Sequence, residues 1–280
     1  MCCSFILITS LSKSQSLQFL ETDFSSIFKT SKTVGLNKAL LGANFSFAIG
    51  KNQLNNNVTY TNYTIDYGFD HFENEEALET FNEIKYNLTY TGKVNKSLGY
   101  TFGITPTLSS NVKSNLSFKD IYVASYFFVT KQFNKNAFSL GLEYNPLFSR
   151  KNPIPVVAYN YSGEKFTYKI GFPETEITYN LNERNLLSAF FKPNGFYSNL
   201  SKKITYNTSL IGKANYVSFL SGIQFQRSIN EYWSVGLQSG FQTFSKYQLL
   251  QKNNKVYEFN TSENFFAGIH IKFNINNTKN

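Results

Sequence analysis

From Lys38 to Phe273 the chain alternates apolar and polar residues with a period of two, and the polar half of the alternation is nearly free of charge. Successive Cβ atoms of an extended strand leave opposite faces, so each run has one greasy side and one neutral side. Trp233 to Gln242 is the clearest case. Trp233, Val235, Leu237 and Phe241 point one way, and Ser234, Gly236, Gln238, Gly240 and Gln242 the other. The same division places Ile84, Tyr86, Leu88 and Tyr90 against Lys85, Asn87 and Thr89. It places Phe138, Leu140, Leu142 and Tyr144 against Ser139, Gly141 and Glu143, and Phe166, Tyr168, Ile170 and Phe172 against Thr167, Lys169 and Gly171. Near the end, Ala267, Ile269, Ile271 and Phe273 oppose Gly268, His270 and Lys272. No charge falls on the apolar face of these runs. Helical periodicity is nearly absent.

A soluble sandwich alternates too, so length and polar chemistry decide. Soluble strands average about 5–6 residues, whereas several runs here approach the roughly 9–11 that cross a bilayer as a strand. The polar face carries Gly, Ser, Thr, Asn and Gln where a solvated sheet would carry more Lys and Glu. Small neutral residues suit a curved interior, and a greasy outer face free of Lys and Arg suits lipid, where a mid-plane charge costs about 2–4 kcal/mol. The expected fold is therefore all-β, a single antiparallel transmembrane β-barrel over residues 16–274. Nowhere do roughly 18 apolar residues run together, which excludes membrane-spanning helices.

Turn spacing supplies the strand count. Short polar turns fall at Gly50-Lys51-Asn52, Val94-Asn95-Lys96, Asn134-Lys135-Asn136, Ser162-Gly163-Glu164, Asn182-Glu183-Arg184 and Ser228-Ile229-Asn230. Longer connections are expected at Asp70 to Glu79, Leu108 to Leu116, Phe148 to Pro153 and Ser201 to Lys213, with a final hairpin over Tyr247 to Glu263. Short and long alternate as periplasmic turns and external loops do. With Leu17 to Phe28 as first strand and Leu186 to Leu200 as one kinked strand, about 14 strands result; short candidates between Pro153 and Ala189 leave 12 as the alternative.

Composition fits this reading. Charged residues make up 16% and aromatics 18%, with 29 Phe, 19 Tyr and a single Trp. Tyr86, Tyr90, Tyr100, Phe138, Trp233 and Phe273 are expected in interfacial girdles. Residues 1–15 read as a degenerate secretion leader, with Phe5 to Leu11 as its apolar core, and residues 275–280 as a polar tail. Both cysteines, Cys2 and Cys3, fall within the leader. The net charge of +9 is scattered, with no basic run beyond Lys202-Lys203, so nucleic acid is not an expected partner. Anionic lipid head groups or phosphates suit it better.

One stretch carries a family likeness. Asn152-Pro153-Ile154-Pro155 precedes a Tyr-containing strand; then come Ile170-Gly171-Phe172-Pro173, Ile177-Thr178-Tyr179-Asn180-Leu181-Asn182 and the pair Gly195-Phe196. Over Pro153 to Ser201, and more loosely over Gln18 to Phe273, the chain resembles a family of Bacteroidota outer-membrane barrels classed as domain of unknown function 6268. That resemblance implies an outer-membrane location and transfers no catalytic residue.

The chemistry-bearing residues are few. His71 and His270 are the only histidines, and neither has a fixed Ser and carboxylate beside it in sequence as a hydrolase triad requires. The cluster Asp70, His71, Glu73, Glu75 and Glu76 lacks the spacing of a calcium loop. No phosphate-binding glycine loop or zinc spacing occurs, so no cofactor, metal or catalytic residue is expected. By strand phase, Lys85, Glu143, Lys169, Gln238, His270 and Lys272 are the lumen-facing candidates. Three of them are lysines, which would favour anionic solutes in a lumen of small residues without bulky filling. The expectation is a non-enzymatic outer-membrane barrel, a pore for small polar or anionic solutes, with outer-membrane lipid and the barrel-assembly machinery as partners. The alternatives are a secreted or surface β-sandwich that binds glycans or proteins, and a barrel enzyme acting on lipid.

Overall fold

The computed structural model describes residues 16–68, 75–113, 115–149, 152–206 and 208–275. The leader with Cys2 and Cys3, His71 with most of its acidic loop, and the tail beyond residue 275 lie outside the described residues. The strands are β1 (Ser16–Ile27), β2 (Val34–Ile49), β3 (Asn52–Tyr67), β4 (Thr80–Lys93), β5 (Leu98–Ser110), β6 (Ile121–Phe133), β7 (Asn136–Tyr144), β8 (Ile154–Ser162), β9 (Phe166–Phe172), β10 (Thr175–Asn182), β11 (Asn185–Tyr206), β12 (Ser209–Ser228), β13 (Trp233–Gln251), β14 (Asn254–Phe259) and β15 (Phe265–Asn274).

From β1 to β14 each strand pairs antiparallel with the next, and β15, paired with β13, returns to β1 through a register running from Phe19↔Asn274 to Ile27↔Phe266. Two stacked sheets, the sandwich alternative, are therefore not what this chain forms. One sheet closes on itself. β13 meets β15 along Trp233–Phe241 and β14 along Tyr247–Gln251, so β14 and β15 occupy one ring position as two halves of an interrupted strand. The ring has 14 positions, and the chain is a closed transmembrane β-barrel.

The alternation maps onto the wall as its chemistry demands. Leu237 and Phe241 are 58% and 56% exposed on the outer wall, whereas Gln238 and Gln242 between and beyond them are 6% and 0% exposed. Tyr86, Phe138 and Trp233 are exposed on the same outer surface. Polar groups on that surface are satisfied locally: the Tyr60 hydroxyl donates to Asn82 Oδ1 at 2.7 Å, Tyr159 to Asn136 Oδ1 at 2.7 Å, and Asn52 Nδ2 to the Tyr90 oxygen at 2.5 Å. Inside, neutral residues pair across strands, as in Thr130–Ser139 and Thr178–Ser188, both 2.8 Å, and Ser46 to Asn55 at 2.8 Å. Gly103 clears the way for Tyr126, whose ring would lie 2.1 Å from an added Cβ and whose hydroxyl crosses to Thr89 at 2.6 Å.

The six short turns lie at one end, with both described chain ends; the longer connections lie at the other. The two ends are called the turn end and the loop end below. Ser201 to Lys213 is not a long loop. β11 runs on to Tyr206 and β12 starts at Ser209, with Ile204 opposite Ile211. The register breaks between Asn199 and Ile204 and resumes at Ile204↔Ile211, and the ribbon stays extended across the break because Leu200, Ile204 and Ile211 bury their side chains.

A single arginine tests the outer wall. Leu237→Arg in reconstituted bilayers should lower unfolding stability by about 2–4 kcal/mol, read by denaturant titration, while Gln238→Ser should cost much less. Equal costs would mean that the two faces see the same surroundings.

Candidate functional site

The loop-end half of the lumen is filled. β11 is 22 residues long, twice what a crossing strand needs, and its outer part leaves the wall. Along Phe196 to Leu200 the alternation stops: Phe196, Tyr197, Ser198 and Leu200 are all buried, as in a strand covered on both faces. The bend is at Gly195, whose φ is +133° and where an added Cβ would lie 1.9 Å from the Tyr216 carbonyl oxygen. Only glycine fits that approach.

The bent ribbon of β11 and β12 reaches the opposite wall. Asn199 pairs with Ser110 of β5, six positions away around the ring. Ser198 and Ser109 meet through their hydroxyls at 2.5 Å, and the Ser201 amide and hydroxyl donate to Asn111 Oδ1 at 2.9 and 2.8 Å. Beneath this bridge Phe196 packs between Phe81 and Tyr63, with ring centroids at 4.5 and 5.1 Å, and meets Tyr216 and Tyr247 at 6.2 and 6.3 Å. The Tyr63 hydroxyl donates to the Gly195 carbonyl at 3.0 Å and so ties β3 to the bend itself. A lumen without bulky filling was expected; a plug of aromatics drawn from β3, β4, β11, β12 and β13 is found. β13 contributes because Phe244, with φ of +50°, marks a register shift that reverses its alternation and turns Tyr247 and Leu249 inward.

Two polar networks line the lumen around this plug. In the first, Asp23 of β1 accepts from Gln238 Nε2 at 3.0 Å and faces Lys38 Nζ at 3.4 Å, and Gln238 Oε1 accepts from Lys192 Nζ at 3.2 Å. Strands β1, β2, β11 and β13 contribute, so these side chains converge inside the ring. The Gln238 amide is thereby fixed, donors toward the carboxylate and oxygen toward the ammonium. In the second, Glu83 is 1% exposed and its oxygens meet Lys85 Nζ at 2.7 Å and the Tyr122 hydroxyl at 2.8 Å.

The remaining lumen candidates are distributed around these. His270 is half-buried and lies opposite Asp23 in the register. Asp23 Oδ1 faces Lys38 and accepts from Ser25 Oγ at 3.4 Å, and Oδ2 accepts from Gln238. Lys272 holds its ammonium 3.8 Å from the Phe19 ring centroid. Lys169 pairs with Glu174, and Glu143 accepts from Asn145 Nδ2 at 3.1 Å. The structure brings Gln238 and His270 to one network and Lys85 to the other; Glu143 and Lys169 lie elsewhere. Of the three lysines among the lumen candidates, Lys85 and Lys169 each have a carboxylate partner. Sequence reasoning missed Asp23, Lys38, Glu83 and Lys192, whose signal was a charged residue at an inward phase. Among the described residues, no three His, Cys, Asp or Glu side chains gather as a metal would require.

Residues 11–276 match the family model described as a domain of unknown function, DUF6268. The chain belongs to the DUF6268 family. No curated protein matches it. Among solved structures, this DUF6268 barrel is similar to the NanC porin, with 8% identity over 93% of this chain and 100% of that one and a TM-score of 0.42. It is similar to the Salmonella typhi outer membrane phospholipase, with 9% identity over 92% and 90% and a TM-score of 0.39. It is also similar to the TodX monoaromatic hydrocarbon channel, with 5% identity over 94% and 91% and a TM-score of 0.41.

Phe196 is the keystone of the plug, so Phe196→Ala should cost about 3–5 kcal/mol, the usual price of emptying a buried aromatic site. A denaturation midpoint unchanged from wild type would remove Phe196 from that role.

Proposed function

We propose that this DUF6268 protein is an integral, non-enzymatic outer-membrane barrel that is shut to free diffusion at rest and presents its ribbon-bearing end to the exterior. The apolar outer wall supports residence in lipid. The arrangement of short turns and chain ends at one mouth supports a periplasmic turn end and an external loop end. A cavity of about 520 Å³ lined by Ser46, Gln53 and Thr91 lies at the turn end, so small polar solutes have a place on the turn-end side of the plug.

The observation that carries the reading is the ribbon's passage across the lumen, with Phe196 wedged between Phe81 and Tyr63. A 14-position ring is intermediate between barrels filled by side chains and those of 16–18 strands that hold open channels. Here a piece of the wall itself supplies the filling. Small polar solutes pass only when the ribbon moves. The engagement of Asp23 by Gln238 and Lys38 supports a structural rather than a catalytic role for the charges around His270.

Planar-bilayer recording tests this. Wild type should show no open-pore steps, whereas Phe196→Ala combined with Tyr247→Ala should show discrete steps. Porin-sized conductance from wild type would overturn the reading.

A further inference from the structure

A second cavity, of about 760 Å³, opens at the loop end between the β11–β12 ribbon, the β5–β6 connection and the tip of the β13–β14 hairpin. Its lining brings together Lys119, Lys203, Lys213 and Lys252 from these separate segments. Among the described residues none of the four is ion-paired to a carboxylate; the ion pairs at Lys29, Lys38, Lys85, Lys169 and Lys255 lie elsewhere. Among the described residues Asp120 is the one acid in the lining. It is 4% exposed, its Oδ2 accepts from the Ser117 amide at 2.6 Å and the Ser117 hydroxyl at 3.3 Å, and one carboxylate against four ammonium groups leaves the lining with an excess of positive charge. Nearby Lys255 is matched by Glu258 at 2.9 Å, whose carboxyl is held below its ordinary range by hydrogen bonds from Lys255 and Gln248. That pair is internally balanced and takes no charge from the cleft.

The cleft is also preformed. Asn199 of the ribbon donates to the Lys119 carbonyl, and the Lys113 amide donates to Ser201 Oγ at 2.9 Å, which ties the β5–β6 connection to the ribbon. Lys213 Nζ is aimed by neutral partners, the Tyr197 hydroxyl at 2.6 Å and Asn253 Oδ1 at 3.3 Å. Ammonium groups so held recognise anions as point charges. The volume lies within the roughly 300–1,000 Å³ of small-ligand sites.

We infer that this cleft binds a phosphate-bearing glycan. Four converging cations select more than one anionic group, and the amides and hydroxyls between them suit sugar hydroxyls. Among the described residues the lining holds no aromatic side chain on which a base would stack, which disfavours nucleotides. The phosphates come from a phosphorylated glycolipid of the surrounding leaflet or from a soluble phosphosugar. The inference rests on the proposed orientation only for the compartment the cleft faces. Its test uses binding, without conductance, so the two fail separately.

The full-length barrel in phosphatidylcholine nanodiscs is titrated calorimetrically with glucose 1,6-bisphosphate, and discs doped with bisphosphorylated lipid A are read by native mass spectrometry. At least one probe should bind, more weakly as salt is raised. Lys203→Gln with Lys252→Gln should weaken it by about tenfold or more through the lost charge-assisted contacts. Lys131→Gln with Lys135→Gln, at the turn end, should leave it unchanged. Binding of the sugar alone identifies a soluble source, and of lipid A alone a membrane source. If the first pair fails to fold, judged by heat-shifted gel migration, Lys119→Gln with Lys213→Gln takes its place. The inference is overturned if neither probe binds, if uncharged glucose binds equally, or if the cleft variants match wild type.

Discussion

Pairing between β1 and β15 is the interaction on which the rest of the molecule depends. A sheet with free edges would leave a row of amides and carbonyls without partners, and in hydrocarbon each would cost several kcal/mol. The register from Phe19↔Asn274 to Ile27↔Phe266 removes both edges at once. Once the ring is closed, every strand has an outside and an inside, and the two halves of the alternation acquire separate duties. Leucines and phenylalanines meet lipid; hydroxyls and amides meet one another across the lumen.

Closure creates a second problem. A 14-position ring encloses more space than inward side chains of Ser, Thr and Asn can fill. The chain solves this with backbone. β11 and β12 exceed the thickness of a bilayer, bend at Gly195, and carry Phe196 and Tyr216 across to Tyr63 and Phe81. The bend is stabilised where it is most strained, by the Tyr63 hydroxyl on the Gly195 carbonyl. Below the plug the charges neutralise each other: Asp23 with Lys38, and Glu83 with Lys85. A buried carboxylate stripped of its partner would be costly, so these charges hold the wall's inner surface in register.

Much of this was legible in the sequence. The six turn-end hairpins, the first strand near Leu17 to Phe28, the inward and outward residues of the last strand and the ring size of about 14 follow from period-two alternation and turn chemistry. The plug does not, for three physical reasons. Aromatics on a barrel strand suit a girdle as well as a core, and nothing local distinguishes Tyr63 or Phe196 from Tyr86. The register shift at Phe244 reverses the inward phase of β13, so Tyr247 falls inside although strict alternation from Gln242 would place it outside. Polar residues around Lys202-Lys203 read as loop, and only the burial of Ile204 and Ile211 across the ribbon shows why they stay extended. The charge balance was hidden for a related reason. Lys85 looks like a free luminal cation until Glu83, two residues away on the same inward face, is seen to be buried against it.

The single tryptophan reports on the central claim without any mutation. Trp233 is exposed on the outer wall at the turn end, against Phe273 at a centroid distance of 4.6 Å. In vesicles of brominated phospholipid its fluorescence should be strongly quenched, while aqueous iodide quenches it weakly. Strong iodide quenching with no effect of bromine would contradict an outer wall facing lipid.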